Sequence, residues 1–265
     1  MTIKFYKYHG AGNDFVIIDN RITHYQLSTK QIALLCHRRF GIGADGFMTI
    51  ENDEKLDFRM KYYNSDGAEG SMCGNGGRCI VAFAKKLEII SNITTFIATD
   101  GIHEAKINSN NGNILDISLK MNDVDNISTN NDSYFLDTGS PHHISFVNDV
   151  DTIDVYNKGK EIRYSDFYKK TNGTNVNFIE IKDDYLKIRT YERGVEDETY
   201  ACGTGATAAA IAYAYKEGIY NKEIRIKAIG GDLSLSFNFI KDENMFKDVV
   251  LRGPAEIVFS GTIEI

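Results

Sequence analysis

Two stretches of this chain are written to one plan, and that duplication limits its architecture more than any other feature. LDFRMKYYNSDGAEGSMCGNGGRCIVAFAKK, at 56–86, and YLKIRTYERGVEDETYACGTGATAAAIAYAYK, at 185–216, each open on an alternating run that predicts a strand. Each then passes an acidic turn, reaches a cysteine followed by Gly-x-Gly, and continues into small and apolar residues that predict a helix. Tyr63 stands ten positions before Cys73, and Tyr191 eleven before Cys202. A weaker echo places asparagine just before a β-branched, aromatic strand in GNDFVIID at 12–19 and TNVNFIEI at 174–181. A unit that recurs once is no solenoid. It predicts two similar domains facing one another, an arrangement that approaches one small molecule from two sides.

The remaining sequence predicts mixed α and β structure. In STKQIALLCHRRFG, Ser28 with Gln31 three residues on signals a helix start, and Gly41 a stop. Ile32, Leu35 and Cys36 share one face of that helix, which puts Cys36 in a core, the usual place for a free thiol. NILDISLKMNDVDNISTNND runs from a strand into a polar connection. The closing DVVLRGPAEIVFSGTIEI predicts strands that return to complete the first domain.

A thiol at the start of a helix sits among backbone N–H groups that lack helical partners, in a positive field. The thiolate is stabilised there and becomes more reactive. Glycines after the cysteine remove side chains, so that a carboxylate can reach those N–H groups. Cys73 and Cys202 each carry this arrangement. Two such ends facing each other would grip the carboxylate of an amino acid with its Cα–H between the sulfurs. One thiolate then removes the α-proton from one face and the other thiol returns a proton to the opposite face. The helix termini stabilise the developing enolate. For that reason no cofactor is required, and neither a lysine Schiff-base signature nor a nucleotide loop is needed. Cys79 lies six residues after Cys73, which at 3.6 residues per turn turns it away from that face and into a core.

Other functions fit less well. The formal charge of −7 and the lack of a basic stripe argue against nucleic acid as a partner. MTIKFYKYHG has no apolar signal core, and no stretch approaches ~18 apolar residues, so we expect a cytoplasmic protein without a membrane partner. The four cysteines, at 36, 73, 79 and 202, form no C-x-x-C pair, and no metal is expected. GIGADG at 41–46 matches G-x-G-x-x-G, but it follows a helical stretch instead of a strand and fails as a dinucleotide loop. The adjacent histidines of SPHH at 140–143 lack matching ligands for a metal; one of them beside a thiol would tune its protonation. Glu192 and Arg193 form an opposite-charge pair at a strand end. On an open surface such a pair contributes little, but its place in the turn leading to Cys202 favours a substrate role.

HGAGNDFVIID, NSDGAEGSMCGNGGRC, SPHH, TNVNF, YERG and ACGTGA together resemble the diaminopimelate epimerase family over nearly the whole chain. The resemblance implies an α/β (α+β mixed) fold of two pseudo-symmetric domains, each a curved mixed sheet around a central helix, with the active site in the cleft between them. We place the halves at residues 1–116 plus 254–265, carrying Cys73, and 117–253, carrying Cys202. The implied activity is epimerisation of LL- to meso-diaminopimelate, in lysine and peptidoglycan synthesis, with Cys73 and Cys202 as base and acid. Gly74 and Asn75 with Gly203 and Thr204 would cradle the carboxylate at the reacting centre. Asn64, Asn175 and Arg193 would hold the distal centre, Glu192 would meet its ammonium, and Asn13 would line the same pocket. His142 and Glu192 would influence the ionisation of the cysteines. The resemblance also allows a homodimer.

Three positions depart from the family pattern. Ser140 stands where many members have asparagine, Gly46 stands where some have glutamine, and RGVEDETYACG is one residue longer than the commoner turn. They leave room for a two-cysteine racemase of another amino acid, such as histidine. Glu192, Arg193, Asn64 and Asn175 speak against a one-headed substrate. The reading from another class is a non-catalytic amino acid-binding or redox-sensing protein whose thiols close into a disulfide on oxidation.

Overall fold

The computed structural model of the protein describes residues 1–70, 72–130, 132–170 and 172–265; Ser71, within the first cysteine motif, lies outside them. Met1–Leu119 with Gly253–Ile265 form one compact unit, and Lys120–Arg252 a second.

The first unit holds strands β1 (Thr2–Gly10), β2 (Asn13–Asp19), β3 (Gly46–Glu51), β4 (Phe58–Asn64), β5 (Ile93–Ala98), β6 (Gly101–Asn111) and β7 (Ile114–Lys120), with helices α1 (Thr29–Cys36) and α2 (Gly74–Lys86). β2–β3 and β4–β5 pair in parallel and the other neighbours antiparallel. Parallel neighbours need a crossover, and α1 and α2 supply the two. The second unit holds β8 (Ser128–Asn130), β9 (Ser133–Asp137), β10 (Pro141–Phe146), β11 (Asn175–Ile181), β12 (Leu186–Glu192), β13 (Asp197–Thr199), β14 (Ile224–Ala228), β15 (Gly231–Ile240) and the start of β16 (Met245–Glu264). Its helices are α3 (Val155–Arg163), α4 (Asp166–Lys169) and α5 (Gly203–Glu217).

The end of β16 closes the first unit, pairing with β7 at Gly253↔Ile117 and with β1 at Thr2↔Glu264. Every residue from Gly74 to Ala84 of α2 is buried. A helix without a solvated face must be surrounded, and α2 meets β1, β2, β3 and β6 inside this ring of strands. A methyl on Gly77 would lie 2.8 Å from Leu119 Cδ2 and 3.1 Å from Met72 Sδ, so an alanine there would have to push these buried side chains aside. Within the second unit the order is β8-β9-β10-β11-β12-β14-β15-β16, with β13 on β12. β10–β11 and β12–β14 are its parallel pairs, bridged by α3 with α4 and by α5. α5 is alanine-rich, buried from Gly205 to Ala212, and ends on Gly218 in the left-handed region at φ 66°.

The two units therefore repeat one connectivity, with β2, β3, β4 and β5 matching β10, β11, β12 and β14. The long repeat marks equivalent elements. The shorter echo does not: GNDFVIID is β2, before the first crossover, whereas TNVNFIEI is β11, after it, and its counterpart is β3. An asparagine before a strand is a local pattern that carries no information about crossovers.

Ser28 caps α1 with the expected capping box. The helix ends at Cys36, well before Gly41, because His37 adopts an extended backbone. A methyl on Gly41 would fall 1.9 Å from Leu34 O, so Gly41 serves the loop that folds back over the helix end and does not stop the helix. Cys36 packs among Ile3, Phe5, Ile18 and Leu35, and Cys79 is fully buried, both as core residues.

Candidate active site

Cys73 is the N-cap residue of α2, with extended backbone at φ −100° and ψ 132°. Its carbonyl accepts the first helical bond from Gly77 N–H at 2.7 Å. Gly74, Asn75 and Gly76 leave the first turn almost bare of side chains, which keeps its N–H groups reachable. Cys73 Sγ lies 3.5 Å from Asn13 Oδ1, and Asn75 Nδ2 donates to that same oxygen at 3.3 Å. Asn13 Nδ2 in turn donates to Asp45 Oδ2 at 2.8 Å. Asp45 pairs with Arg38 at 2.6 Å, Arg38 grips Asp14 through both terminal nitrogens, and Lys7 pairs with Asp14 at 2.6 Å. Burial pushes the Asp14 carboxyl up, but the bonds from Arg38 and Lys7 outweigh it and hold the group at about 2.

Arg78, one turn into α2, is fully buried. It donates to Gly74 O, to Asn75 Oδ1 at 2.7 Å and to Pro254 O. Asn64 sits apart from this cluster of polar contacts, at the exposed end of β4 opposite Gly46. A methyl on Gly46 would lie 2.7 Å from the Tyr62 ring, so Tyr62 occupies the space a glutamine would need.

Cys202 is the N-cap residue of α5, and here the sulfur itself caps the helix, accepting from Gly205 N–H at 3.4 Å. Thr204 Oγ1 is 3.4 Å from the sulfur and 3.3 Å from Ser140 Oγ. Ser140 Oγ contacts His142 Nε2 at 3.0 Å, and Asn175 Nδ2 donates to it at 3.2 Å. Asn175 ties β10 to β12: Nδ2 also donates to Pro141 O, and Oδ1 accepts from Arg193 N–H at 2.9 Å. Glu192 accepts from Thr199 Oγ1 at 2.7 Å, across the β12–β13 hairpin. The lengthened turn is anchored by Glu196, in the left-handed region at φ 60°. Its carboxylate meets Arg163, Tyr164 and Gly194 N–H; burial opposes the charge, but these partners hold it at about 2.

Behind Cys202, Asn177 is fully buried. Its Nδ2 donates to His143 O and to His142 Nδ1, and its Oδ1 accepts from Thr190 Oγ1 at 2.9 Å. Burial, with the charge of Arg193 added, holds His142 at about 3, and burial holds His143 at about 4. Both are neutral at pH 7. An unfolded chain takes up protons on these histidines below about pH 6.5, while the native chain does not until far lower. Stability therefore falls as pH falls through this window, by about 1.4 kcal/mol per unit for each histidine, or roughly 4 kcal/mol between pH 8 and pH 5. Urea melts at pH 8, 6.5 and 5 check this; equal midpoints at pH 8 and pH 5 would contradict it.

Of the residues expected from sequence, Asn13, Gly74 and Asn75 lie at the Cys73 helix start and His142, Asn175, Arg193, Gly203 and Thr204 in the network of the Cys202 helix start, while Asn64 stands apart at the end of β4 and Glu192 bonds across the β12–β13 hairpin. Arg78, Asp45 and Asn177 join these two sites as well. Arg78 left one trace, a charge in a run of small residues meant to be buried. Asp45 and Asn177 left none, because their partners come from distant segments.

The family model for diaminopimelate epimerase matches residues 5–125 and 134–258. A diaminopimelate epimerase from Flavobacterium psychrophilum is 52% identical over 263 residues, covering 98% of this chain and 100% of that one. One from Chlorobaculum tepidum is 43% identical, covering 96% and 98%. Among solved structures, a Bacillus anthracis phenazine biosynthesis protein of the PhzF family shares the fold at TM-score 0.76 and 16% identity, covering 100% of both chains. A probable proline racemase from Agrobacterium radiobacter does so at 0.73 and 11%, covering 99% and 93%. Every motif that raised the resemblance lies inside the matched residues, and the chain belongs to the diaminopimelate epimerase family.

Proposed function

We propose that the protein interconverts LL- and meso-diaminopimelate without a cofactor, the thiolate of one of Cys73 and Cys202 removing the α-proton from one face while the thiol of the other delivers its own proton to the opposite face. The observation that carries this reading is the repeated helix start: in each unit a cysteine is the N-cap residue of a buried helix whose first turn is nearly bare. A thiolate serves as base there and a thiol as acid, and the N–H groups of Gly74, Asn75, Gly203 and Thr204 receive the carboxylate as charge develops on it. Arg193 offers a bidentate grip for the second carboxylate of the substrate, and Glu192 a partner for its ammonium. Asn64 and Asn175 complete the recognition of the distal centre, which orients the reacting Cα, and Asn13 lines the pocket beside Cys73. Backbone N–H groups suit an enolate because they need no reorganisation when the charge appears.

Proton NMR of reduced protein with LL-diaminopimelate in heavy water tests the proposal. Loss of the α-proton signal with growth of the meso isomer is the expected result. Reduced, folded protein that exchanges no α-proton of this substrate, but does exchange that of another amino acid, would replace the assignment with a racemase of different specificity.

A further inference from the structure

We propose that the resting enzyme keeps its proton on Cys73 and its negative charge on Cys202, and that Asp45 and Ser140 are the positioning residues that set this division. The inference rests on the two-cysteine reading above and adds to it what each sulfur is offered. The two N-cap cysteines are equivalent in connectivity, yet one sulfur faces an acceptor and the other faces donors.

At Cys73 the polarity is fixed from both ends of a chain of bonds. Arginine only donates, so the Asn75 atom it meets is Oδ1, and Asn75 therefore turns Nδ2–H toward Asn13. A carboxylate only accepts, so Asn13 turns Nδ2–H toward Asp45. Two independent constraints thus make Asn13 Oδ1 the atom 3.5 Å from Cys73 Sγ, and against an oxygen the sulfur can only donate. That contact holds S–H. Among the described residues, this sulfur makes no capping bond to the start of α2.

At Cys202 the chain runs the other way. His143 O only accepts, which fixes Asn177 Nδ2 and makes His142 Nδ1 an acceptor. Neutral His142 then carries its proton on Nε2 and donates to Ser140 Oγ. Ser140 receives a second donor from Asn175, whose orientation is set by Pro141 O and Arg193 N–H. Its own hydroxyl proton turns to Thr204 Oγ1, and that of Thr204 to Cys202 Sγ, where Gly205 N–H also arrives. Two donors on one sulfur stabilise a thiolate.

Charge around the sulfurs does not produce this division by itself. Near Cys73, Asp14 and Asp45 are balanced by Lys7 and Arg38, and Cys79 is a buried thiol pushed far up. Arg78 pulls toward a thiolate at Cys73, though its donors are engaged by oxygens. At the Cys202 end stand neutral His142 and, from the end of β12, Glu192 and Arg193.

The test is site-resolved alkylation of the full-length reduced protein by iodoacetamide between pH 5 and 10, reading the inflection for each cysteine by mass spectrometry. The inflection follows thiolate fraction and is insensitive to access. We expect Cys202 to inflect at least about one unit below Cys73, a tenfold difference in thiolate fraction. Asp45→Asn lets Asn13 rotate and lowers the Cys73 inflection, and Ser140→Ala raises that of Cys202. Asn13→Ala separates orientation from field: it keeps every charge yet removes the acceptor, and it must lower the Cys73 inflection too. The proposal is overturned by a Cys73 inflection at or below that of Cys202, by an Asn13→Ala variant that leaves Cys73 unmoved, or by a Ser140→Ala variant that leaves Cys202 unmoved. α-Proton exchange with coincident inflections retains the epimerase reading and removes this one. Separated inflections without exchange leave the division of proton and charge standing and remove the epimerase reading.

Discussion

Cys73→Ser and Cys202→Ser are each expected to lower turnover of LL-diaminopimelate by on the order of 10²–10⁴-fold, the usual worth of one positioned acid–base group. A serine hydroxyl fills the space of a thiol but ionises far above neutral pH, so it supplies neither a base nor a matched acid. Each variant keeps one working thiol and should exchange the α-proton of only one of the two epimers, without inverting it. Urea melts should stay close to wild type, since both sulfurs are only half-buried at their helix starts. Cys79→Ala is the contrasting variant. Its thiol is fully buried and pushed far up, so it takes no part in proton transfer. It should lose about 1–2 kcal/mol of stability through a small cavity and keep turnover within a few-fold. A serine variant at position 73 or 202 that retained a tenth of wild-type turnover would remove the two-cysteine mechanism.

What was legible in the sequence was what is encoded locally. The cysteine before Gly-x-Gly, the alternating run ahead of it and the small-residue helix after it all fall within about thirty residues, and each copy folds as read. Ser28 and Gln31 likewise announce their capping box across three positions. The rest depends on partners far apart in the chain. The return of the closing stretch to the first unit is read in the sequence, but that it meets β1 and β7 together, and in which register, is stated by no local pattern. Asp45 reaches Asn13 from 32 positions away, and Asn177 reaches His142 across 35. The departures from the family pattern acquire reasons only in three dimensions. Gly46 makes room for Tyr62, the longer turn is fastened by Glu196, and Ser140 joins His142 to Thr204.

The second large effect comes from a glycine that a reading for flexibility would pass over. Gly205 lies in the first turn of α5, yet a methyl there would sit 2.5 Å from Asn177 Oδ1, 3.2 Å from Cys202 Cβ and 3.3 Å from Cys202 Sγ. The first distance is too short for any real contact, and the other two are tight. Something must move, and each candidate matters. Asn177 is fully buried and bonded to His142, His143 and Thr190, so displacing it strands buried polar groups at about 1–3 kcal/mol. Displacing the start of α5 instead shifts Cys202 and the N–H that caps it. We therefore expect Gly205→Ala to reduce turnover by roughly 100-fold, the scale of a displacement near 1 Å at a reacting group. It should also raise the alkylation inflection of Cys202. Gly218→Ala is the comparison. It ends the same helix at φ 66° with nothing within 4 Å, so alanine costs about 1 kcal/mol of backbone strain and leaves turnover unchanged. If both alanines lowered turnover equally, helix stability alone would account for them and the packing of Gly205 against Asn177 would have no special part. If only Gly205→Ala does so, the missing side chain is what lets the sulfur, the helix start and the His142 network occupy one small space.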